Sequence, residues 1–196
     1  MKKILIALFV CSVSLVACKK KKGCMDPAAA NYDSTAKKDD GTCIGIGSTY
    51  QGGIIFYLDG NGGGLIAAPS DQSESAEWGC EGIGIPGADG SAIGTGNQNT
   101  IDIVNANCSP PTSGNLIAAN ICTNLTLGGY SDWFLPSNYE LYEMYLNKVA
   151  IGGFTNYPYW SSTEWNTLAY AFNFNNGLAV TNIKDVTYNV RAVRTF

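Results

Sequence analysis

Glycine interrupts this chain so often after residue 50 that only short helices and strands fit between its turns. The chain contains 23 glycines, and clusters of them stand at 52–53, 60–64, 128–129 and 152–153. Because glycine adopts positive-φ backbone conformations that other residues avoid, these clusters predict turns. Charged residues make up only 14% of the chain, which is not typical of a helical bundle. The composition therefore predicts a loop-rich domain built from short elements.

The N-terminal segment has the organisation of a secretory signal peptide. Two lysines precede an apolar run over residues 4–17, which is shorter than the roughly 20 apolar residues of a membrane-spanning helix. The sequence Leu-Val-Ala-Cys at 15–18 resembles the bacterial lipobox, which implies cleavage before Cys18 and acylation of that cysteine, palmitate included. We predict a signal peptide over 1–17 and an exported lipoprotein, anchored in the outer membrane at its cell-surface or periplasmic face. The alternative is an ordinary signal peptide followed by an incidental cysteine.

The charge pattern and the absence of histidine restrict the function classes. From residue 48 onward four cations face twelve carboxylates, a net charge of about −8, and this acidic body without a basic stripe argues against nucleic acid as a partner. The chain has no histidine, which removes the commonest general base and transition-metal ligand. We therefore favour a binding protein over an enzyme. One alternative is a glycan-acting envelope enzyme that uses carboxylates such as Glu140, Glu143 or Glu164, and another is a structural envelope protein without a small ligand.

Five cysteines remain once Cys11 is removed with the signal peptide and Cys18 is acylated. Export places them in an oxidising compartment, where disulfides persist. Cys24 and Cys43 bracket a short segment, so we expect them to pair. Three cysteines are then left, at 80, 108 and 122, which allows one bond and one free thiol, and the sequence does not settle the pairing. The short connection between Cys108 and Cys122 favours a bond between those two.

Residues 23–43 form a small cysteine-bracketed module. Their pattern, GCxDPxAxNYDxxAxxDDGxC, resembles a short repeat found in secreted and surface proteins of some bacteria. We assign residues 18–47 to the acylated N-terminus and this module, as a spacer that depends on its disulfide. Its aspartates either hold Ca²⁺ through hard oxygen ligands, which would make calcium a cofactor, or build local turns. These residues are Asp26, Asp33, Asp39 and Asp40.

Residues 48–196 read as one domain with strands at both ends and helices between them. A glycine-rich loop joins apolar runs at 53–58 and 65–68, which predicts a hairpin. We expect a loop at 69–97, short helices near 99–107 and 116–125, and a third helix from a capping box at Ser137 and Glu140 to about Val149. The later strands are expected at 159–162, 169–174, 178–183 and 188–196.

Three motifs in this domain carry a resemblance. GYSDWFLPS at 129–137, YWSSTE at 159–164 and VRAVR at 190–194 recur in that order in the Lcl C-terminal domain family of bacterial adhesins and surface lipoproteins, and the segments 52–57 and 92–96 are similar as well. The resemblance implies an α+β, C-type-lectin-like fold with small antiparallel sheets, two to three short helices, long loops and paired terminal strands. It also implies a role in adhesion.

The aromatic residues of this domain have two interpretations. We expect Trp133, Trp160, Phe172 and Phe174 to lie in the core, and Arg191 and Arg194 to pair with carboxylates such as Asp132 or Glu164. The late segment also carries aromatic, amide and acidic side chains of the kind that bind sugars. Sugar binding, binding of a protein or matrix polymer, and a purely structural role all remain open for the candidate ligand residues Tyr157, Glu164, Trp165, Asn166, Tyr170, Asn173, Asn175 and Asn176.

Overall fold

The computed structural model describes residues 20–108 and 116–196. Within them the chain forms an α+β fold with one five-stranded sheet, one four-stranded sheet, a two-stranded ribbon and four short helices. The α+β class expected from the sequence is therefore confirmed. The predicted signal peptide at 1–17 and Cys18 lie outside the described residues. Across 20–108 and 116–196, no helix is long and apolar enough to cross a membrane.

The elements are short, as the glycine spacing predicts. The helices are α1 (Gly96–Asn105), α2 (Ala118–Thr123), α3 (Asn138–Leu146) and α4 (Lys148–Ile151). The strands are β1 (Lys22–Gly23), β2 (Lys38–Asp39), β3 (Thr49–Tyr50), β4 (Gly53–Leu58), β5 (Gly64–Ala67), β6 (Ser73–Glu77), β7 (Pro158–Trp165), β8 (Leu168–Asn173), β9 (Leu178–Asn182), β10 (Thr187–Val190) and β11 (Val193–Thr195).

The four-stranded sheet joins the two ends of the domain. Its order is β11-β5-β4-β3, with every neighbouring pair antiparallel. The predicted hairpin is β4–β5, and its loop is held by Asp59, whose carboxylate accepts hydrogen bonds from the backbone N–H groups of Asn61 (2.7 Å) and Gly63 (3.0 Å). The last strand, β11, pairs with β5. The end of the chain is thereby fixed to the opening hairpin.

The five-stranded sheet, in the order β6-β10-β7-β8-β9, departs from expectation at two places. Its β10–β7 pairing is parallel, so the sheet is mixed and not purely antiparallel. Strand β6 lies in the stretch predicted as a loop, because its polar sequence buries only Ala76 and gives no clear alternation.

The single strand predicted over 188–196 is instead two, β10 and β11. The chain leaves one sheet for the other at Arg191 and Ala192, where the Ala192 N–H donates to the Gln72 side chain.

The aromatic residues expected in the core are buried there. Trp133 and Trp160 pack in one hydrophobic cluster with Trp78, and Phe172 and Phe174 pack in a second. Each buried indole N–H donates to a backbone carbonyl: Trp78 to Ser161 (2.7 Å), Trp160 to Ala76 (2.8 Å) and Trp133 to Leu127 (3.4 Å). Buried tryptophans need such partners, because an unpaired donor in the core costs about 1–3 kcal/mol.

The two arginines near the C-terminus both pair with carboxylates. Arg194 pairs with Asp132, as expected. Arg191 pairs with Asp71 at 2.6 Å, and its guanidinium also donates to the carbonyl oxygens of Ala68 (3.0 Å) and Gly153 (2.7 Å). Neither arginine pairs with Glu164, so that alternative is wrong. The many carbonyl acceptors around Arg191 fix the point where the chain passes between the sheets.

Helix α3 begins with the capping box that the sequence predicts. The Ser137 hydroxyl accepts from the Glu140 backbone N–H (3.3 Å), and the Glu140 carboxylate accepts from the Ser137 backbone N–H (2.7 Å). The Ser137 hydroxyl also donates to the Ala92 carbonyl (2.9 Å), which ties the helix start to the preceding loop. The third predicted helix is interrupted at Asn147 and continues as α4.

Replacing Ser137 with alanine is expected to lower the free energy of unfolding by about 1–2 kcal/mol, because both hydrogen bonds of the buried hydroxyl are lost. Urea denaturation measures this loss. The exposed Ser131→Ala variant is the control and should change the free energy by less than about 0.5 kcal/mol. Equal stability of the two variants would contradict the importance of the cap.

The disulfide pairing corrects one expectation. Cys24 pairs with Cys43, as predicted, but Cys108 pairs with Cys80 and not with Cys122. Cys122 lies on α2, is fully buried and remains a free thiol. Burial raises the pKa of this thiol, so it is held in the unreactive protonated form. The short sequence separation was misleading because α1 and the loop before it bring Cys80 to Cys108.

Candidate functional site

Strand β7 contains an irregular segment that lies beside a depression at the surface. The register between β7 and β8 shifts between Trp160 and Glu164. Within this bulge the Ser161 hydroxyl donates to the Tyr170 carbonyl (2.9 Å) and accepts from the Thr163 N–H (3.1 Å), replacing the missing ladder bonds. The turn that follows places Asn166 at φ 57°, a conformation that asparagine tolerates. Bulges of this kind redirect side chains at sheet ends.

Three segments meet at this end of the sheet. The Thr163 hydroxyl accepts from the Asn138 backbone N–H (3.0 Å) and donates to the Gly90 carbonyl (2.9 Å). The Tyr139 backbone N–H donates to the Ser91 carbonyl (3.0 Å). One buried threonine therefore joins strand β7, the start of helix α3 and the loop 78–95.

The segments enclose an open pocket of about 370 Å³, which we call the β7–β8 pocket. This volume lies within the range of small-ligand sites. Trp165 is 53% exposed and Tyr139 is 54% exposed, and both line the pocket together with the half-buried Tyr170. Two large aromatic side chains thus stand open to solvent across one depression. The remaining lining residues are polar: Asp89, Ser91, Asn138, Thr163 and Glu164.

The pocket contains a hydrogen-bonding atom without a partner. Within the residues that the structure describes, the Asn138 Oδ1 atom is the one buried side-chain oxygen or nitrogen that makes no hydrogen bond. Nearly all buried polar atoms in folded proteins are paired, and leaving one unpaired costs about 1–3 kcal/mol. Asn138 lines the β7–β8 pocket, and its unpaired side-chain oxygen is buried.

Glu164 lies beneath the pocket and has a structural role. It is only 6% exposed, and its two carboxylate oxygens accept from the Ile85 N–H at 2.9 and 2.7 Å. Its Oε1 atom is 3.5 Å from the Nζ atom of Lys184, which is fully buried over the Trp78 ring. Burial raises the pKa of Glu164, while the Ile85 N–H and Lys184 oppose that rise. Burial likewise lowers the pKa of Lys184, which Glu164 opposes.

This buried pair fixes the wall of the pocket. Lys184 donates from its ammonium to the Ile83 carbonyl, and the Glu164 backbone N–H donates to the Ala88 carbonyl (2.7 Å). The loop that carries Asp89 and Ser91 is therefore held at several points by Glu164 and Lys184. The Cys80–Cys108 disulfide closes the same loop against α1.

The structure divides the predicted ligand residues between two ends of the sheet. Glu164, Trp165 and Tyr170 line the β7–β8 pocket, and Asn166 forms the adjoining turn. Tyr157 precedes the other end of β7, roughly 25 Å away at about 3.3 Å per residue. It is 71% exposed and lines a separate depression of about 290 Å³. Tyr157 therefore does not share a site with Trp165.

The other three predicted asparagines, Asn173, Asn175 and Asn176, lie at that second end and build the β8–β9 turn. The Asn173 side-chain oxygen accepts from the Asn175 N–H (2.9 Å), and the Asn176 side-chain oxygen accepts from the Leu178 N–H (3.1 Å). Their side-chain oxygens are thus occupied by the backbone. The structure does not bring these three residues to the β7–β8 pocket.

Sequence reasoning did not identify five residues of the pocket: Asp89, Ser91, Asn138, Tyr139 and Thr163. Asp89 and Ser91 lie in a loop whose position depends on contacts distant in sequence. Asn138 and Tyr139 directly follow the capping serine, so the capping box indicated where this helix begins but not what it faces.

Two of the three carboxylates considered for catalysis are buried and engaged by backbone N–H groups. Glu140 is fully buried and accepts from the backbone N–H groups of Ser137 (2.7 Å) and Gly94 (2.8 Å). Burial raises its pKa, and these hydrogen bonds oppose the rise. Glu164 is engaged by Ile85 and Lys184, and Glu143 is absent from the pocket lining. The most solvent-accessible carboxylate of the pocket is that of Asp89.

The aspartates of the N-terminal module serve as turn acceptors. Asp26 accepts from the Ala28 N–H, Asp33 from Thr35, Asp39 from Gly41 and Asp40 from Thr42. Hydrogen bonds from Thr35 and the contact with Lys21 lower the pKa of Asp33 to about 2. Within 20–108 and 116–196, no group of three or more acidic, cysteine or histidine side chains is placed to hold a metal ion. This arrangement does not support the calcium alternative for these aspartates.

The comparisons with known proteins do not assign a family. No protein-family model matches the chain, and no curated protein matches it.

Proposed function

We propose that this protein is an extracytoplasmic binding lipoprotein that recognises a glycan through the β7–β8 pocket. The observation that carries this proposal is the pair of half-exposed aromatic side chains, Trp165 and Tyr139, that line one pocket together with polar side chains such as Asn138 and Asp89. Sugar rings present apolar C–H faces and hydroxyl edges. They therefore need both an aromatic surface and polar atoms that fix their orientation, and the pocket supplies both.

The aromatic side chains support a ligand site because exposing large apolar surfaces to water is energetically unfavourable. Large apolar surfaces grouped at one depression of a soluble domain are typical of binding sites. In this protein the other three tryptophans are at most 1% exposed, and each donates its indole N–H inside the fold. Trp165 differs in both respects. A structural role for Trp165 would not account for its exposure in the lining of a polar pocket.

The remaining parts of the proposal rest on the sequence. The lipobox-like segment at 15–18 supports acylation of Cys18 and an outer-membrane location, with the module at 23–43 between the anchor and the domain. The Lcl-like motifs support a C-type-lectin-like fold and a role in adhesion. The pairing of β11 with the opening hairpin agrees with the terminal closure that this resemblance implies.

Replacing Trp165 with alanine is expected to weaken glycan binding by about 30-fold or more, because an aromatic residue at the centre of a binding site contributes about 2 kcal/mol. A glycan and matrix-polymer array first identifies the ligand for the full-length protein, in a detergent without a sugar headgroup. Isothermal titration calorimetry then measures the dissociation constants.

The matched control is Tyr157→Ala, which removes a still more exposed aromatic side chain from the other end of β7. It should leave the dissociation constant within about twofold of that of the unmodified protein. Weaker binding in Tyr157→Ala with normal binding in Trp165→Ala would place the site in the second depression. The absence of glycan binding on the array would contradict the proposed function.

A further inference from the structure

We propose that the β7–β8 pocket selects sugar units that carry a protonated amine over neutral and anionic units. This inference rests on the proposed glycan binding and specifies its ligand class. The reasons are the charge, the hydrogen-bonding groups and the aromatic surface that the pocket presents together.

The pocket has an uncompensated negative charge. Asp89 is exposed at its edge, and within 20–108 and 116–196 no cation pairs with it. The second carboxylate, Glu164, is paired with Lys184 beneath the surface. The pocket lining contains no lysine or arginine. A sulfate or uronate group would therefore meet a carboxylate without a compensating cation, whereas an ammonium group would find its counterion.

The unpaired polar atoms of the pocket are acceptors. The Asp89 carboxylate is exposed, and within the same described residues neither of its oxygens receives a hydrogen bond. An ammonium group supplies three donors, more than a hydroxyl group does. An N-acetyl group presents a single N–H and adds an acceptor, so it satisfies these atoms less well.

The aromatic walls favour the same ligand. Cations bind to the faces of tryptophan and tyrosine rings, and Trp165 and Tyr139 both line the pocket beside Asp89. Aromatic rings therefore stabilise the ammonium as well as the apolar face of the sugar. The same two rings therefore contribute both effects within one pocket.

The test compares three tetrasaccharides by calorimetry with the full-length protein at mildly acidic pH, where the sugar amine is protonated. They are a glucosamine tetramer, its fully N-acetylated form and a galacturonate tetramer. We expect the glucosamine tetramer to bind about fivefold more tightly than the acetylated one. This preference should shrink in high salt, because an exposed charge pair is screened.

Asp89→Asn should abolish the preference, so that the dissociation constants of the glucosamine tetramer and the acetylated tetramer become equal. The matched control, Glu74→Gln, removes one exposed negative charge beside Tyr157 and should keep the preference. Equal binding of the two glucosamine-type tetramers, tighter binding of galacturonate, or a preference that survives in Asp89→Asn would overturn the inference while leaving glycan binding intact. Failure of all the sugars to bind would overturn both the inference and the proposed function.

Discussion

Replacing Lys184 with methionine is expected to lower the free energy of unfolding by about 3–5 kcal/mol. The reason is that Glu164 would then hold a buried charge without its partner, and removing one member of a buried ion pair costs this much. Lys184 is fully buried, stacks 4.4 Å from the Trp78 ring centroid and donates to the Ile83 carbonyl, so its removal also releases the loop that walls the pocket. Chemical denaturation of the two proteins gives the difference.

The control for this prediction separates the effect of the unpaired Glu164 charge from the effect of the lost lysine side chain. In Glu164→Gln combined with Lys184→Met, no buried charge is left unpaired, and the glutamine still accepts from the Ile85 N–H. The double variant should therefore be more stable than Lys184→Met alone. The exposed Lys38→Met variant should change the free energy by less than about 0.5 kcal/mol. A loss below about 1 kcal/mol in Lys184→Met would contradict the structural role of the pair.

The second large effect concerns the disulfide between Cys80 and Cys108. Replacing both cysteines with alanine is expected to lower the free energy of unfolding by about 3.5 kcal/mol, because the bond closes a segment of 28 residues in the unfolded chain. Binding should weaken as well, since this segment carries Asp89 and Ser91. Thermal unfolding under oxidising conditions measures the stability, and calorimetry measures the binding.

The single variant Cys122→Ala distinguishes the Cys80–Cys108 bond from the Cys108–Cys122 bond that the sequence favours. With Cys122 as a buried free thiol, it loses only a small amount of packing, about 1 kcal/mol. If Cys108 were instead bonded to Cys122, this variant would lose the disulfide and Cys80→Ala would be the mild one. Peptide mapping by mass spectrometry of the unreduced protein reports the pairing directly.

The sequence predicts features that depend on neighbours along the chain. The loop between β4 and β5 follows from Asp59 and the glycines around it, and the start of α3 follows from Ser137 and Glu140. Both are set within a few residues. The burial of Trp133 and Trp160 is predictable as well, because large aromatic side chains supply much of the apolar surface that a small domain buries in its core.

Features that depend on distant contacts were missed. Strand β6 shows no alternation of apolar and polar residues. Its place in the sheet depends on pairing with β10, which lies more than a hundred residues later in the chain. The candidate site shows the same limit. Trp165 was recognisable as an aromatic residue in a sugar-binding pattern, but Asp89 and Asn138 are brought to the same pocket by contacts distant in sequence. One of these is Thr163, whose side chain bonds to the segments that carry both residues.

The four indole N–H signals in the NMR spectrum of the protein test the central proposal most directly. Three of these groups are hydrogen bonded in the interior, and the fourth belongs to the exposed Trp165. Titration of the ¹⁵N-labelled full-length protein with the ligand found on the array should shift the Trp165 signal and the Asn138 side-chain amide. The signals of Trp78, Trp133 and Trp160 should stay in place. A ligand that binds without moving Trp165 and Asn138 would contradict the account.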